Sequence, residues 1–253
     1  VKAEKATLYR PIVNRRNVLN VDSKAPSNLF ALLNSYSEKF SLNELEIING
    51  DLLFQFSATK SVNLENANLL VSVNRSLNAT TFATIGKSIR NLNFKKGKFV
   101  IGNITMEVNK AQFKGGTEIL SIKELHLKEA NTKNEATLNK LSVYNPIFDE
   151  PNNKIVVGGI RWEKATIDWT ASSTTTKKDT AKSPSVEIQN IDGFNLSLNI
   201  HKENKSISTF INDLHIDKIN RSGKEKPILE GLSLTGKNVR FSEKSTVAAI
   251  LSF

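Results

Sequence analysis

The chain repeats one arrangement of apolar and polar residues at intervals along its length. With Φ for an apolar residue, the arrangement is Φ-x-Φ-x-x-(Gly/Ala)-x-Φ-x-Φ, and we number its positions from one to ten. Full copies begin at Leu45, Val62, Leu92 and Ile160. A further copy beginning at Leu232 keeps the apolar positions but has a lysine in place of the small residue. Such repetition indicates one structural unit that is used several times.

The spacing within each copy predicts a β-hairpin. If a two-residue turn lies at positions five and six, position three pairs with position eight and position one with position ten. Directly opposed residues of an antiparallel pair point to the same side of the sheet, so the four apolar side chains would share one face. In the first copy the turn would be Asn49-Gly50, two residue types that tolerate positive φ. Copies without such a turn would use longer or bulged connections.

The same alternation continues where no turn signal is present. In the segment from Phe194 to Ile200, for example, apolar residues alternate with polar ones. Strands of this kind are half-buried and typical of antiparallel sheets. We therefore predict a mostly β fold: one long antiparallel sheet, curled into a groove, a taco-like shape or a barrel-like shape that encloses its apolar face. Residues 1–253 would form a single β-rich module.

Short helices and one polar insert interrupt this β pattern. Apolar residues within 28–39 recur at helical spacing after Pro26-Ser27, where the serine can cap the first free amide groups. A weaker helical turn is predicted within 82–89. Residues 171–185 contain no apolar side chain larger than alanine, so we predict a flexible polar insert between strands.

Composition narrows the possible functions. The chain of 253 residues has no cysteine, which excludes disulfides and cysteine-based catalysis or metal binding. Its formal net charge is +10, but the lysines are spread along the whole sequence and no nucleic-acid-binding motif accompanies them. We interpret most of this charge as solvated surface. Nucleic acid is the least favoured partner, and an anionic membrane surface stays open.

The sequence contains no motif for nucleophilic catalysis or phosphate binding. His126 and His215 occupy outward, polar positions between apolar residues, and so does Asp168. Solvent-facing positions explain these side chains better than a metal site or an acid–base pair does. We predict a protein that is not an enzyme and that holds no metal or cofactor. A carbohydrate-active β enzyme with dispersed carboxylates is kept as an alternative.

Two adjoining stretches are similar to a known family. Residues 40–54 (FSLNELEIINGDLLF) and 62–71 (VNLENANLLV) resemble the AsmA-like family of bacterial envelope proteins. The resemblance implies a β-rich, groove-like module in the periplasm, with a role in lipid transport or outer-membrane assembly. It also implies a tether to the inner membrane. Because this chain begins at Val1 without such a helix, we expect the tether in a preceding segment of a longer chain.

The functional hypothesis is a non-catalytic envelope module that binds or guides lipid in an apolar groove. Its partner would be a phospholipid or another lipid with acyl chains. The alternative is a structural or adhesive β-sandwich or solenoid that binds another protein at its sheet edges. The candidate groove residues are Leu45, Ile47, Leu52, Phe54, Leu64, Leu69, Phe94, Phe99 and Ile101. The same residues would equally well fill a closed core.

Overall fold

The computed structural model describes most of the chain. The described residues are 2–16, 41–78, 82–130, 132–149, 152–170, 185–202, 205–223, 227–243 and 246–251. The helix predicted within 28–39 lies outside these ranges. So does the predicted insert, apart from Ser185, which begins a strand.

Strands make up 80% of the structure and helices 5%, which confirms the mostly β prediction. The strands and helices, in chain order, are β1 (Lys2–Tyr9), β2 (Ile12–Arg16), β3 (Ser41–Ser57), β4 (Lys60–Ser72), α1 (Val73–Leu77), α2 (Phe82–Ser88), β5 (Ile89–Ile101), β6 (Ile104–Lys114), β7 (Ile119–Glu129), β8 (Glu135–Tyr144), β9 (Ile147–Asp149), β10 (Lys154–Val157), β11 (Gly159–Trp162), β12 (Lys164–Thr170), β13 (Ser185–Lys202), β14 (Lys205–Arg221), β15 (Ile228–Glu230), β16 (Ser233–Glu243) and β17 (Thr246–Leu251).

All the described strands join one large sheet. From β3 to β8 each strand pairs with the next in antiparallel fashion, and β8 then pairs with β11 and β12. Most strand pairs are antiparallel, as predicted, but the sheet is mixed, because β1 and β2 run parallel to β3 and β10 to β12 run parallel to β13. Among the described residues, β1 and β2 pair only with β3, and β17 only with β16. Within the described ranges the sheet is therefore open at both edges.

The copies that begin at Leu45, Val62 and Leu92 each lie within one strand, and the copy that begins at Ile160 continues from β11 into β12, so the predicted hairpin at Asn49-Gly50 is wrong. β3 continues through both residues. Ile47 pairs with Leu69 of β4 instead of with Leu52. The turn between β3 and β4 lies at residues 58–59.

An extra outward residue in each unit keeps the apolar side chains on one face. Phe94 and Gly97 of β5 are both buried, although residues three apart in a regular strand face opposite sides. The two residues between them, Lys95 and Lys96, are both exposed. The insertion reverses the alternation once, as a β-bulge does, so positions one, three, six, eight and ten share a side. Where two paired strands both carry the extra residue, the register of their pairing is the same before and after it.

These insertions line up across the sheet. The strand pairing is interrupted at one position in each successive segment, and several residues at these positions have positive φ: Asn49 (52°), Asn66 (53°), Lys110 (55°), Lys140 (51°) and Asn195 (52°). We call the line of these positions the seam. It consists of Asn49, Asn66, Lys95, Lys110, Lys123, Lys140, Glu163 and Asn195.

Side-chain amides and carboxylates replace ladder hydrogen bonds along the seam. The backbone N–H of Asn49 donates to Oδ1 of Asn68 at 2.9 Å, and that of Asn66 donates to Oδ1 of Asp51 at 3.0 Å. Across the sheet, Nδ2 of Asn195 donates to the carbonyl oxygen of Glu163 at 3.2 Å. Asparagine at the seam tolerates positive φ, and the side chains of Asn68, Asp51 and Asn195 bond backbone groups that the interrupted ladder leaves free.

Small residues beside the seam leave room for aromatic rings. A Cβ atom on Gly97 would lie 2.6 Å from the ring of Phe94, and one on Gly193 would lie 2.0 Å from the indole of Trp162. Both rings are buried. The small position of the unit is thus a packing requirement.

The two ends of the sheet differ. At one end α1 and α2 connect β4 to β5, and α1 packs against β3 while α2 packs against β9. The helical turn predicted within 82–89 is confirmed as α2. At the other end β5 turns directly into β6 through residues 102–103. We call these the helical end and the open end.

Replacing Gly193 by alanine is expected to destabilise the fold by about 1–3 kcal/mol, because the new methyl group must displace the buried indole of Trp162. Urea unfolding followed by circular dichroism measures the change. Gly116→Ala is the control, since its Cβ would meet nothing within 4 Å. An equal loss of stability in both variants would contradict the packing explanation.

Replacing Asn195 by alanine is expected to cost about 1–2 kcal/mol, because alanine is strained at its φ of 52° and cannot donate to Glu163. Asn195→Gly should recover most of this loss, since glycine adopts positive φ without strain. Thermal unfolding of the three proteins provides the comparison. A glycine variant no more stable than the alanine variant would show that backbone conformation is not the cause.

Candidate functional site

The candidate groove residues lie together on the apolar side of the sheet, which we call the inner face. Cross-strand pairing joins them: Ile47 of β3 opposes Leu69 of β4, and Leu52 opposes Leu64. The buried members are Ile47, Leu52, Leu64 and Phe94, and the half-buried members are Leu45, Phe54, Leu69 and Phe99. Ile101 lies on the same face at the open end, and 54% of its surface is exposed.

The inner face extends well beyond these predicted residues. A second buried cluster, on β11 to β14, comprises Trp162, Ala165, Ile191, Leu196, Ile211 and Ile216. Leu138 and Ile160 pack against both clusters and so join them into one apolar surface. Trp162 and Ala165 belong to a copy of the unit, so the repeat itself could have indicated this half of the site.

One residue of the predicted alternation faces the opposite side. The sequence places Phe194 with Leu196 on the apolar face, but the seam residue Asn195 lies between them and reverses the alternation. Phe194 instead lies on the polar side, which we call the outer face, where the guanidinium of Arg161 stacks at 5.2 Å from its ring centroid. Leu196 is buried on the inner face, as predicted.

The inner face is large enough for an extended hydrocarbon chain. From β3 to β14 it crosses eight strand intervals, or roughly 38 Å at about 4.8 Å per interval. Within the described ranges every strand belongs to this one sheet, so no second sheet covers the face. A curled sheet accounts for the low exposure of inner residues, such as 3% for Leu52.

Exposed apolar side chains collect at the open end of the inner face. Ile101 and Ile104 flank the turn between β5 and β6, with 54% and 44% of their surfaces exposed. Trp169 of β12 and Ile207 of β14 pair with Ile200 of β13 from opposite sides, and 47% and 37% of their surfaces are exposed. These four residues, which we call the apolar rim, make this end the accessible part of the inner face.

The outer face carries polar pairs. His215 lies between two carboxylates that accept hydrogen bonds from its ring, with Nδ1 2.8 Å from Oδ1 of Asp192 and Nε2 2.9 Å from Oδ1 of Asp217. Hydrogen bonding to Asp192, followed by that to Asp217, raises the pKa of His215. Asp168 lies 3.5 Å from Nε2 of His201, and both are partly exposed, as predicted for outward positions. In the part of the chain that the structure describes, no cluster of three or more histidine or carboxylate side chains could hold a metal ion.

Glu187 is the most strongly shifted carboxylate among the described residues. Its Oε2 accepts a hydrogen bond from Nζ of Lys154 at 2.7 Å, and its Oε1 accepts one from Gln189 at 2.9 Å. Together with the charge of Lys218, these contacts lower the pKa of Glu187 to about 2. The contacts of Glu187 with Lys154 and Lys218 thus connect β10 and β14 to β13 on the outer face.

Comparison with known proteins found no matching family model, no matching curated protein and no matching solved structure. The resemblance to the AsmA-like family therefore stays a prediction from the sequence. Of the helices in the described ranges, none has the length and apolar character that crossing a membrane requires.

Acid is expected to remove the stability that Glu187 contributes. Its folded pKa of about 2 lies below the ordinary value of 4.5, so the contribution is present above pH 4.5 and is lost as the pH falls towards 2. The difference in urea midpoint between the wild type and Glu187→Gln should therefore shrink over this interval. Glu230→Gln, which removes an exposed carboxylate, should show no such trend. A difference independent of pH would contradict the assignment.

Proposed function

We propose that the protein is a non-catalytic module that binds the acyl chains of a lipid against its inner face. The observation that carries this proposal is the apolar rim, where isoleucine and tryptophan side chains are exposed at the end of a continuous apolar surface. Clustered apolar side chains that are exposed and rimmed by polar residues are typical of interaction sites.

An acyl chain suits this surface chemically. It has no polar groups that need hydrogen bonds, and each methylene that leaves water contributes about 0.8 kcal/mol. Ten methylenes would contribute roughly 8 kcal/mol before the cost of ordering the chain. The inner side chains of the two clusters are aliphatic or aromatic, so they favour hydrocarbon without selecting a headgroup.

The resemblance to the AsmA-like family suggests where the module acts. We place it in the periplasm, tethered to the inner membrane by a segment outside this chain, where it would guide lipid between membranes or support outer-membrane assembly. The groove shape and the apolar inner face are compatible with that role.

A second candidate function is binding of another protein at a sheet edge. β1 and β2 pair on one side only within the described residues, and Tyr9 and Ile12 on them are 65% and 83% exposed. An extended segment of a partner could add a strand there. This contact would use backbone groups at the edge and not the inner face.

Trp169 provides a direct test of acyl-chain binding. Phospholipid with bromine atoms on its acyl chains should quench the fluorescence of the wild type, because Trp169 lies on the apolar rim and Trp162 lies deeper on the same face. Trp169→Phe should lose a substantial part of the quenching. Quenching that is absent from the wild type, in protein shown to be folded, would rule out the proposed site.

Polar substitutions at the apolar rim are expected to reduce bound lipid. The triple variant Ile101→Thr, Ile104→Thr, Ile207→Thr should retain roughly tenfold less phospholipid on purification from cells, as measured by native mass spectrometry.

The matched control replaces three exposed isoleucines of the outer face, Ile12, Ile147 and Ile228, by threonine. This control should retain lipid as the wild type does. Equal retention by both triple variants would overturn the inner-face proposal, and loss of a co-purifying protein in the Ile12-containing control would support the sheet-edge alternative.

A further inference from the structure

Four lysines of the seam form a row across neighbouring strands of the outer face. Register places Lys95 of β5 opposite Lys110 of β6, because Phe94 pairs with Ala111 and Lys96 with Asn109 on either side. Lys110 lies opposite Lys123 of β7, and Lys123 lies opposite Lys140 of β8, by the same reasoning. All four residues are exposed. We call them the lysine row.

The lysine row carries mostly uncompensated charge. Lys140 forms an ion pair with Oε2 of Glu163 at 2.5 Å. Among the ion pairs of the described residues, none includes Lys95, Lys110 or Lys123. Neighbouring strands are about 4.8 Å apart, so the row attaches four lysine side chains to backbone positions that span about 14 Å. Like charges directly opposite one another in a sheet are destabilising, so this arrangement costs the fold stability.

Polar groups beside the row could bind an anion. Lys110, Lys123 and Lys140 line a shallow depression of about 350 Å³, whose other lining residues are the polar Gln112, Ser121 and Ser142 and the apolar Ala111, Ile122 and Leu141. Ammonium, amide and hydroxyl groups together can donate several hydrogen bonds to the oxygens of one phosphate group. The neighbouring outward positions on β4 to β7 are Glu65, Lys96, Asn109 and Glu124 in register order, so they add no excess of positive charge to the row.

We propose that the lysine row docks the outer face of β5 to β8 on an anionic phospholipid bilayer. Charge complementarity selects the occupant, because a membrane surface presents many phosphates to a row of cations held by strands. A single-stranded nucleic acid is less suited, since no aromatic side chain for base stacking lines this depression. The contact goes beyond the proposed acyl-chain site, because it requires no apolar surface and lies on the opposite side of the sheet.

Vesicle binding tests the proposal. The wild-type chain should co-sediment with vesicles containing phosphatidylglycerol and not with vesicles of phosphatidylcholine alone. Binding should weaken as salt rises above about 0.1 M, where the Debye length falls to about 10 Å. Each lysine near an anionic surface strengthens binding roughly fivefold. The variant Lys95→Gln, Lys110→Asn, Lys123→Gln should therefore bind roughly a hundredfold more weakly; asparagine is chosen at position 110 because its φ is 55°.

Two control variants isolate the effect of position and of charge. Lys60, Lys133 and Lys202 are exposed lysines away from the row, and replacing them by glutamine removes the same net charge. That variant should keep most of the binding. Replacing Lys95, Lys110 and Lys123 by arginine should also keep it, since arginine retains the charge. The row variant should unfold at an equal or higher temperature than the wild type at low salt, because it loses the repulsion between neighbours.

Three results would overturn the proposal. One is equal weakening by the row variant and the variant at Lys60, Lys133 and Lys202. Another is equal binding to anionic and zwitterionic vesicles. The third is lysine-row-dependent binding of a single-stranded oligonucleotide without binding to anionic vesicles. The threonine variant of the apolar rim should leave vesicle binding unchanged, so failure of the acyl-chain site and failure of this docking surface are separable.

Discussion

The structure depends on one backbone constraint, the extra outward residue that each long segment carries at the seam. In a regular strand, side chains alternate strictly, so a segment as long as β3 or β13 could not keep residues five apart on one face. The insertion reverses the alternation once and returns the apolar side chains to the inner face. The insertion requires positive φ and interrupts the hydrogen-bond ladder. Asn49 and Asn195 accommodate both effects, because both adopt positive φ and both take part in hydrogen bonds beside the interrupted ladder.

The same constraint produces both surfaces of the protein. On the inner face it requires small residues beside large ones, so that Phe94 covers Gly97 and Trp162 covers Gly193. On the outer face it leaves two successive outward positions, and polar residues fill most of them, with Phe194 beneath Arg161 as an exception. Lysine occupies one of them on each strand from β5 to β8. An apolar inner face and a charged line on the outer face are thus consequences of one repeated insertion.

The sequence was sufficient for the composition of the inner face and not for the connection of its strands. Leu45, Ile47, Leu52 and Phe54 were predicted to share a face, and they do. The reason offered for it, a hairpin at Asn49-Gly50, was wrong, because the same spacing fits a tight turn and a bulged strand equally well. Phe194 shows the opposite failure: plain alternation predicted an inner position, and the insertion at Asn195 moved it outward. Only pairing with a neighbouring strand distinguishes these conformations.

By itself, the sequence determined that this chain is a β protein with one apolar side, because period-two alternation and small residues at fixed spacing are local properties. Tertiary structure decided how the segments are ordered, that the sheet is mixed and open at its described edges, and which outward residues become neighbours. The lysine row depends entirely on this second level. Lys95, Lys110, Lys123 and Lys140 are separated by 13 to 17 residues along the chain. They meet only because four strands pair in a register that long-range hydrogen bonding sets.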